Sequence, residues 1–153
     1  MRTTMVLSCV GLLLAVIAAG ASALPAEVER ALATQKQIWV ATSRADGSRS
    51  QAAPIWFWWD GTSLYFSTSP TSHKAKRIRK GSPVFVSVEG KDGPFLSGKP
   101  EIITDLQLVE RLGGEYSNKY WLAWLGLFRP RATRVSAGKT VVVKVALAAP
   151  GNG

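Results

Sequence analysis

Residues 60–83 read Asp60-Gly-Thr-Ser-Leu-Tyr-Phe-Ser-Thr-Ser-Pro-Thr-Ser-His-Lys-Ala-Lys-Arg-Ile-Arg-Lys-Gly-Ser-Pro83, and this stretch decides the fold. It opens on an Asp-Gly pair, which supplies the positive φ that a tight turn needs. Leu64 to Thr68 then alternates as a short strand, with Leu64 and Phe66 on the buried face. Pro70, Thr71 and Ser72 form a helix start, because proline presets φ and the hydroxyls can cap unpaired N–H groups. The helix that follows carries Ala75 and Ile78 at i, i+3 on an inward face. It ends at Gly81-Ser82-Pro83, and a second apolar strand begins at Val84. Exposed N–H groups, two hydroxyls and Lys74 at one helix start suit a phosphate. The plain alternative is that His73, Lys74, Lys76, Arg77, Arg79 and Lys80 form the solvated face of a surface helix.

Outward from this core the chain reads as short strands joined by tight turns. Leu24 to Leu32 starts a short helix with Val28 and Leu32 at i, i+4. Ile38 to Ser43 is a strand, and Arg44-Ala45-Asp46-Gly47 turns it back. One strand is expected from about Ser50 to Trp59. Two Asp-Gly turns between three apolar runs make an antiparallel meander. Val84, Val86 and Val88 share one face of the next strand. Phe95 to Thr104 is a fifth strand, expected to lie at an edge or to bulge around Gly98 and Pro100. Asp105 caps a helix through Leu108, Val109 and Leu112, which Gly113-Gly114 is expected to interrupt. Glu115 to Leu127 is read as a second, aromatic helical segment with Trp121, Trp124 and Leu125 on one face. Residues 128–134 are read as irregular, and Lys139 to Ala148 is the last strand. The total is six antiparallel strands with short helices, an α+β chain built on a small split β-barrel.

The chain has 153 residues, 46% apolar and 19% charged, with a formal net charge of +9. That balance describes one globular domain and an anionic ligand, nucleic acid or acidic membrane surface as partner. The amino terminus stands apart. Arg2 precedes the apolar run Val6 to Ala19, and Ala21-Ser22-Ala23 offers a small-residue cleavage site, the layout of a signal peptide on residues 1–23. An uncleaved membrane anchor and a start codon assigned too far upstream are the alternatives, the last leaving a cytoplasmic protein. The domain proper is residues 24–150. The single cysteine, Cys9, lies in the leader, and the single histidine is His73, so neither a disulfide framework nor a His-based metal site can be built. No P-loop and no G-x-S-x-G elbow occurs.

The order of strand, hydroxyl-rich corner, Ser72-His73-Lys74, Pro83 and apolar strand resembles the pyridoxamine 5'-phosphate oxidase-like, FMN-binding split-barrel family and its deazaflavin-dependent branch. Ala41-Thr42 before Asp46-Gly47, Ala53-Pro54-Ile55-Trp56, the run Trp56 to Asp60, Lys119-Tyr120-Trp121 and Gly126 to Pro130 extend the resemblance over most of Leu24 to Ala148. It implies a cofactor, FMN or the deazaflavin coenzyme F-420, and hydride transfer to or from a small organic substrate. It also implies that Lys74 meets the cofactor phosphate with help from Ser67, Thr68 and Ser72. Ala53, Pro54, Ile55 and Trp56 would border the ring. Lys76 and Arg77 stand where relatives often carry Arg and Asn, so Arg77 departs from the commoner pattern. For Trp56, core packing and ring contact are both open readings, while Trp58 reads as core. Lys76, Arg77, Arg79 and Lys80 would suit the long anionic tail of the deazaflavin coenzyme. A homodimer is implied too, since the family places its cofactor groove between subunits and Trp121, Trp124, Leu125 and Phe128 are more apolar surface than a small barrel hides. A non-catalytic flavin, haem or tetrapyrrole binder on the same scaffold is the alternative. A nucleic-acid binder is disfavoured, because the cations cluster on one helix with little aromatic interleaving.

Overall fold

The computed structural model describes residues 23–121 and 129–149. Its elements in chain order are α1 (Ala26–Thr34), β1 (Ile38–Thr42), β2 (Ala53–Ile55), β3 (Trp58–Trp59), β4 (Leu64–Thr68), α2 (His73–Arg79), β5 (Val84–Ser87), β6 (Leu96–Ile103), α3 (Leu106–Lys119), α4 (Ala132–Ser136) and β7 (Val141–Leu147). The strands form one antiparallel sheet in the order β2-β1-β5-β6-β7-β4-β3.

That order requires a curled sheet. β2 and β3 are its two edges, yet only Trp56 and Phe57 separate them in the chain. Laid flat, seven strands would hold the edges about 29 Å apart, whereas Ile55 and Trp58 can be separated by at most about 11 Å of chain. The expected single strand from Ser50 to Trp59 is therefore broken. Its first part pairs with β1 (Ile38 with Ile55) and its second with β4 (Trp58 with Tyr65). This break is why the sheet has seven strands where the sequence suggests six.

The inward face is the core. Ile38, Val40, Leu64, Phe66, Val84, Val86, Val141, Val143 and Val145 fill it, joined by Leu32 from α1, Ile78 from α2 and Phe57 from the break. Leu64 and Phe66 are buried as their alternation requires, but Tyr65 between them is buried as well. It faces outward beneath α3 and packs with Ile103, Val109, Leu112 and Val142. Both Asp-Gly turns form as expected, with Gly47 at φ 81° and Gly61 at φ 94°. Asp60 accepts from the N–H groups of Thr62 and Ser63 at 2.7 and 2.6 Å and from the Tyr65 hydroxyl at 3.1 Å. Helix α2 starts on Ser72, whose hydroxyl accepts from Ala75 N–H at 3.1 Å, and ends in paired bonds from Gly81 to Ile78 and from Ser82 to Arg77. Those two bonds satisfy carbonyls that the last helical turn leaves open.

Three further expectations are corrected. Helix α3 passes straight through Gly113-Gly114, because Gly113 serves packing: a Cβ there would lie 2.5 Å from the Pro130 carbonyl oxygen. Of the two readings for strand β6, the bulge does not form, since its register with β7 is unbroken from Gly98 to Ile103, while the local edge does. Pro100 is tolerated because β5 pairs with β6 only as far as Gly98, so no partner on that side needs its missing N–H. The segment read as irregular contains α4. Trp124, Leu125 and Phe128, like residues 1–22 with their signal-peptide reading, lie outside the described residues. Among the described residues no helix is long and apolar enough to cross a membrane.

Two tyrosine hydroxyls hold the break. The Tyr120 oxygen accepts from Phe57 N–H at 3.0 Å and shares its proton between the carbonyls of Lys36 and Phe57, both at 2.8 Å. The Tyr116 hydroxyl lies 3.0 Å from the Trp56 carbonyl and 3.3 Å from that of Tyr65. Tyr120→Phe strands a buried N–H and is expected to lower unfolding free energy by about 1–3 kcal/mol, measured by urea denaturation. A change under a few tenths would show that the hydroxyl does not hold the closure.

Candidate functional site

A groove of about 820 Å³ opens beside the break, lined by Ile55, Trp56, Ser67, Thr68, Ser69, Tyr116, Arg129, Arg131, Arg134, Lys139 and Thr140. Its construction follows from three strand ends. β2 delivers Ile55 and, just past its end, Trp56. The exit of β4 presents the hydroxyls of Ser67, Thr68 and Ser69. The entry to β7, where Val141 pairs with Thr68, brings Lys139 and Thr140 alongside. Helix α4 and the chain before it add the arginines.

The floor is aromatic. Trp56 stacks on Tyr120 with ring centroids 4.3 Å apart and planes within 2°, and Tyr120 meets Tyr116 at 5.5 Å. Neither phenol is an acid at ordinary pH. Burial, with Tyr120 beside it, drives the Tyr116 hydroxyl well above its usual value, and burial pushes Tyr120 up to about 12. Both hydroxyls act as hydrogen-bonding struts.

The cationic wall depends on close helix packing. Gly113 lets the Pro130 carbonyl approach α3, and the Glu110 carboxylate accepts from Ala132 N–H at 2.7 Å, anchoring the first turn of α4. These contacts hold Arg129, Arg131 and Arg134 on the groove. Arg129 donates to Ser117 Oγ at 3.4 Å, while its Nε is buried with no hydrogen-bond partner among the described residues. Arg134 donates to Thr140 Oγ1 at 3.2 Å.

Of the residues singled out from the sequence, Ile55, Trp56, Ser67 and Thr68 come together in this groove. Ser72 is tied to its edge through the 3.0 Å bond between its hydroxyl and that of Thr68. Ala53 and Pro54 lie on β2 before the groove, with Pro54 exposed. Lys74 is half-buried, and among the described residues its ammonium has no carboxylate partner; burial first, then the neighbouring Arg77, lowers its pKa. Lys76 points to solvent. Arg77 donates to Thr42 Oγ1 on β1 at 3.4 Å, roughly 13 Å along that strand from the Ile38 that pairs with Ile55. Neither Lys76 nor Arg77 lines the groove. The α2 cations that the sequence suggests for an anionic tail lie off the groove, and its cationic wall is Arg129, Arg131, Arg134 and Lys139. The signal was present as four cations within eleven residues, but only the fold brings them opposite the serine and threonine hydroxyls.

Gly113→Ala tests this construction. The added methyl must displace the Pro130 backbone, so hydrogen exchange in residues 129–140 is expected to speed up at least about tenfold with the β-sheet unchanged. Unchanged exchange there would show that α3 does not position the cationic wall.

Residues 24–149 match the family model for pyridoxamine 5'-phosphate oxidase. Among solved structures, an F420 reductase is 26% identical with a TM-score of 0.57, covering 81% of this chain and 95% of that one. An FAD-binding protein from Mesorhizobium loti is 18% identical, with a TM-score of 0.55 and coverage of 79% and 85%. The FAD and heme binding protein from Mycobacterium smegmatis is 22% identical, with a TM-score of 0.56 and coverage of 79% and 65%. No curated protein sequence matches.

Proposed function

Because the chain belongs to the pyridoxamine 5'-phosphate oxidase family, we propose that its groove holds a flavin-type cofactor and that the protein is an oxidoreductase acting on a small organic substrate. The observation that carries this reading is the pairing, in one groove, of an aromatic floor with hydroxyl and cationic walls. A planar ring with an anionic tail needs both. The buried, unpartnered Arg129 Nε fits such a ligand, since a donor left alone in a buried setting is costly until an acceptor reaches it. When bound, the cofactor supplies the hydride chemistry, while the protein positions it and excludes water. On this reading Ile55 and Trp56 border the ring. Ser67, Thr68 and Ser69 offer hydroxyls along one wall, and Lys74 with Ser72 forms a phosphate contact at its edge. Arg131, Arg134 and Lys139 neutralise the rest of the anion.

The cationic wall favours the deazaflavin coenzyme F-420 over FMN, because its tail carries more negative charge along a greater length. The likeness to an F420 reductase points the same way. A homodimer belongs to this reading, and Trp121, 70% exposed just past the C-cap of α3, is a described residue that such an interface would cover. A purely binding role is the second reading. It is favoured by the groove's lining, which among the described residues includes no His, Asp, Glu or Cys, the side chains most used for acid–base work near neutral pH.

Titration of the purified protein with FMN and with coenzyme F-420, followed by ligand absorbance and fluorescence, tests the proposal. Micromolar or tighter binding of either is expected, and binding of neither would overturn it. Lys74→Ala and Lys139→Ala are each expected to weaken binding roughly tenfold to a hundredfold, or about 1.5–3 kcal/mol. If Lys139→Ala weakens binding and Lys74→Ala leaves it unchanged, the phosphate sits on the cationic wall and the Lys74 assignment fails. Light scattering with cofactor bound is expected to give the mass of two chains; a persistent single-chain mass would rule out the dimer.

A further inference from the structure

We propose that the outer face of α2, together with a hollow at its C-terminal end, docks onto a bilayer of anionic phospholipid. Lys76, Arg77, Arg79 and Lys80 suit an anion by their charge, yet none of them lines the groove. No Asp or Glu stands between Asp60 and Glu89, so the helix carries nothing to neutralise itself. Ala75 and Ile78 are its buried positions, and the helical period then turns Lys76, Arg77 and Lys80 to the opposite side. Lys76, Arg79 and Lys80 are exposed, and among the described residues none of the four cations meets a carboxylate. Arg77 donates to Thr42 Oγ1 at 3.4 Å and Arg79 to the Pro70 carbonyl at 2.8 Å. A guanidinium carries five donors, so one such bond leaves it able to take a phosphate.

The hollow, of about 360 Å³, opens where the helix ends, and Gly81, Pro83, Lys99, Pro100, Ala146 and Leu147 are among the residues that line it. Strand β5 pairs with β6 only as far as Gly98, which leaves the sheet open beside Lys99 and Pro100. Ala146 and Ala148 are exposed in the hollow, and so is Lys99. Cations beside a small aliphatic recess match a phospholipid, whose phosphate adjoins its glycerol and first methylenes. A nucleic acid sets its phosphates beside flat bases, which aromatic side chains stack upon. No Phe, Trp or Tyr stands from Ser67 to Val84, and none lines the hollow. An anionic bilayer favours partitioning by about fivefold for each basic side chain near its surface. That attraction fades beyond about 10 Å at about 0.1 M salt. The proposal stands independently of the cofactor reading, because groove and docking face share no residue.

The test is sedimentation of the full chain with vesicles, either of phosphatidylcholine alone or with one-third phosphatidylglycerol. At about 0.1 M salt the anionic vesicles are expected to bind at least about a hundredfold more tightly, and high salt should remove most of that gain. Lys76→Gln combined with Lys80→Gln should weaken binding to anionic vesicles about 25-fold. Arg30→Gln combined with Lys36→Gln removes the same charge from exposed positions around α1 and should cost less than about threefold, since those residues lie off the docking face. Every comparison keeps residues 1–23, so their contribution is common to both arms. Ala146→Gln leaves the charge unchanged and should weaken binding several-fold by filling the hollow with a polar group. Equal binding to neutral and anionic vesicles would overturn the proposal, and so would equal losses in the two double variants. An unaffected Ala146→Gln would overturn the part assigned to the hollow. A duplex oligonucleotide bound more tightly than the vesicles at the same salt would give this face to nucleic acid instead.

Discussion

The fold depends on one discontinuity, the two residues where a strand leaves one edge of the sheet and joins the other. Trp56 and Phe57 cannot take part in a regular ladder there, so their backbone groups need other partners in a dry place. Tyr116 and Tyr120 supply them from the last turn and the C-cap of α3, through hydroxyls that reach Trp56, Phe57, Lys36 and Tyr65. A side-chain hydroxyl can both accept and donate, which suits a site where an N–H and several carbonyls converge. Phenylalanine at either position would fill the space and leave the backbone unsatisfied.

The groove lies where the barrel is closed in this way. The same Tyr116 and Tyr120 rings that hold the break support Trp56 at the floor of the groove. Helix α3, fixed in place by those hydroxyls, presents Gly113 and Glu110 to the chain around Pro130 and Ala132, and so sets the position of the cationic wall. On the other side of the break, Phe57 offers its ring to Lys119. Closure, groove and the Lys119 ring contact thus share one set of residues, and changes at the seam should be felt on both sides of it.

Asp60 shows how local chemistry supports the arrangement. Burial alone would raise its pKa, but bonds from Ser63, Thr62 and Tyr65 outweigh it and the pKa lies below the usual carboxylate value. Since the folded value is the lower one, this stabilisation is present above the ordinary carboxylate pKa and is lost as pH falls through the folded value. The turn that begins β4 is therefore tied, through Tyr65, to the surface on which α3 rests.

The sequence by itself determined the local pieces: both Asp-Gly turns, the Ser72 and Asp105 caps, the inward faces of β4 and β5, and the family. Each is set within a few residues, by φ preferences, hydroxyl caps or strand alternation, and such signals survive without tertiary context. Ile55, Trp56, Ser67 and Thr68, which the family resemblance singles out in the sequence, line one groove. Only the tertiary structure decided where the strand from Ser50 to Trp59 breaks, because no local signal distinguishes Trp56-Phe57 from the aromatic residues beside them; the pairing partners do. It also decided that Gly113 is a packing site within α3, since a glycine's need for space depends on a carbonyl seventeen residues away. The placing of the groove's cations was hidden for the same reason: Arg129, Arg131, Arg134 and Lys139 are visible in the sequence, but only folding sets them opposite the hydroxyls of Ser67, Thr68 and Ser69.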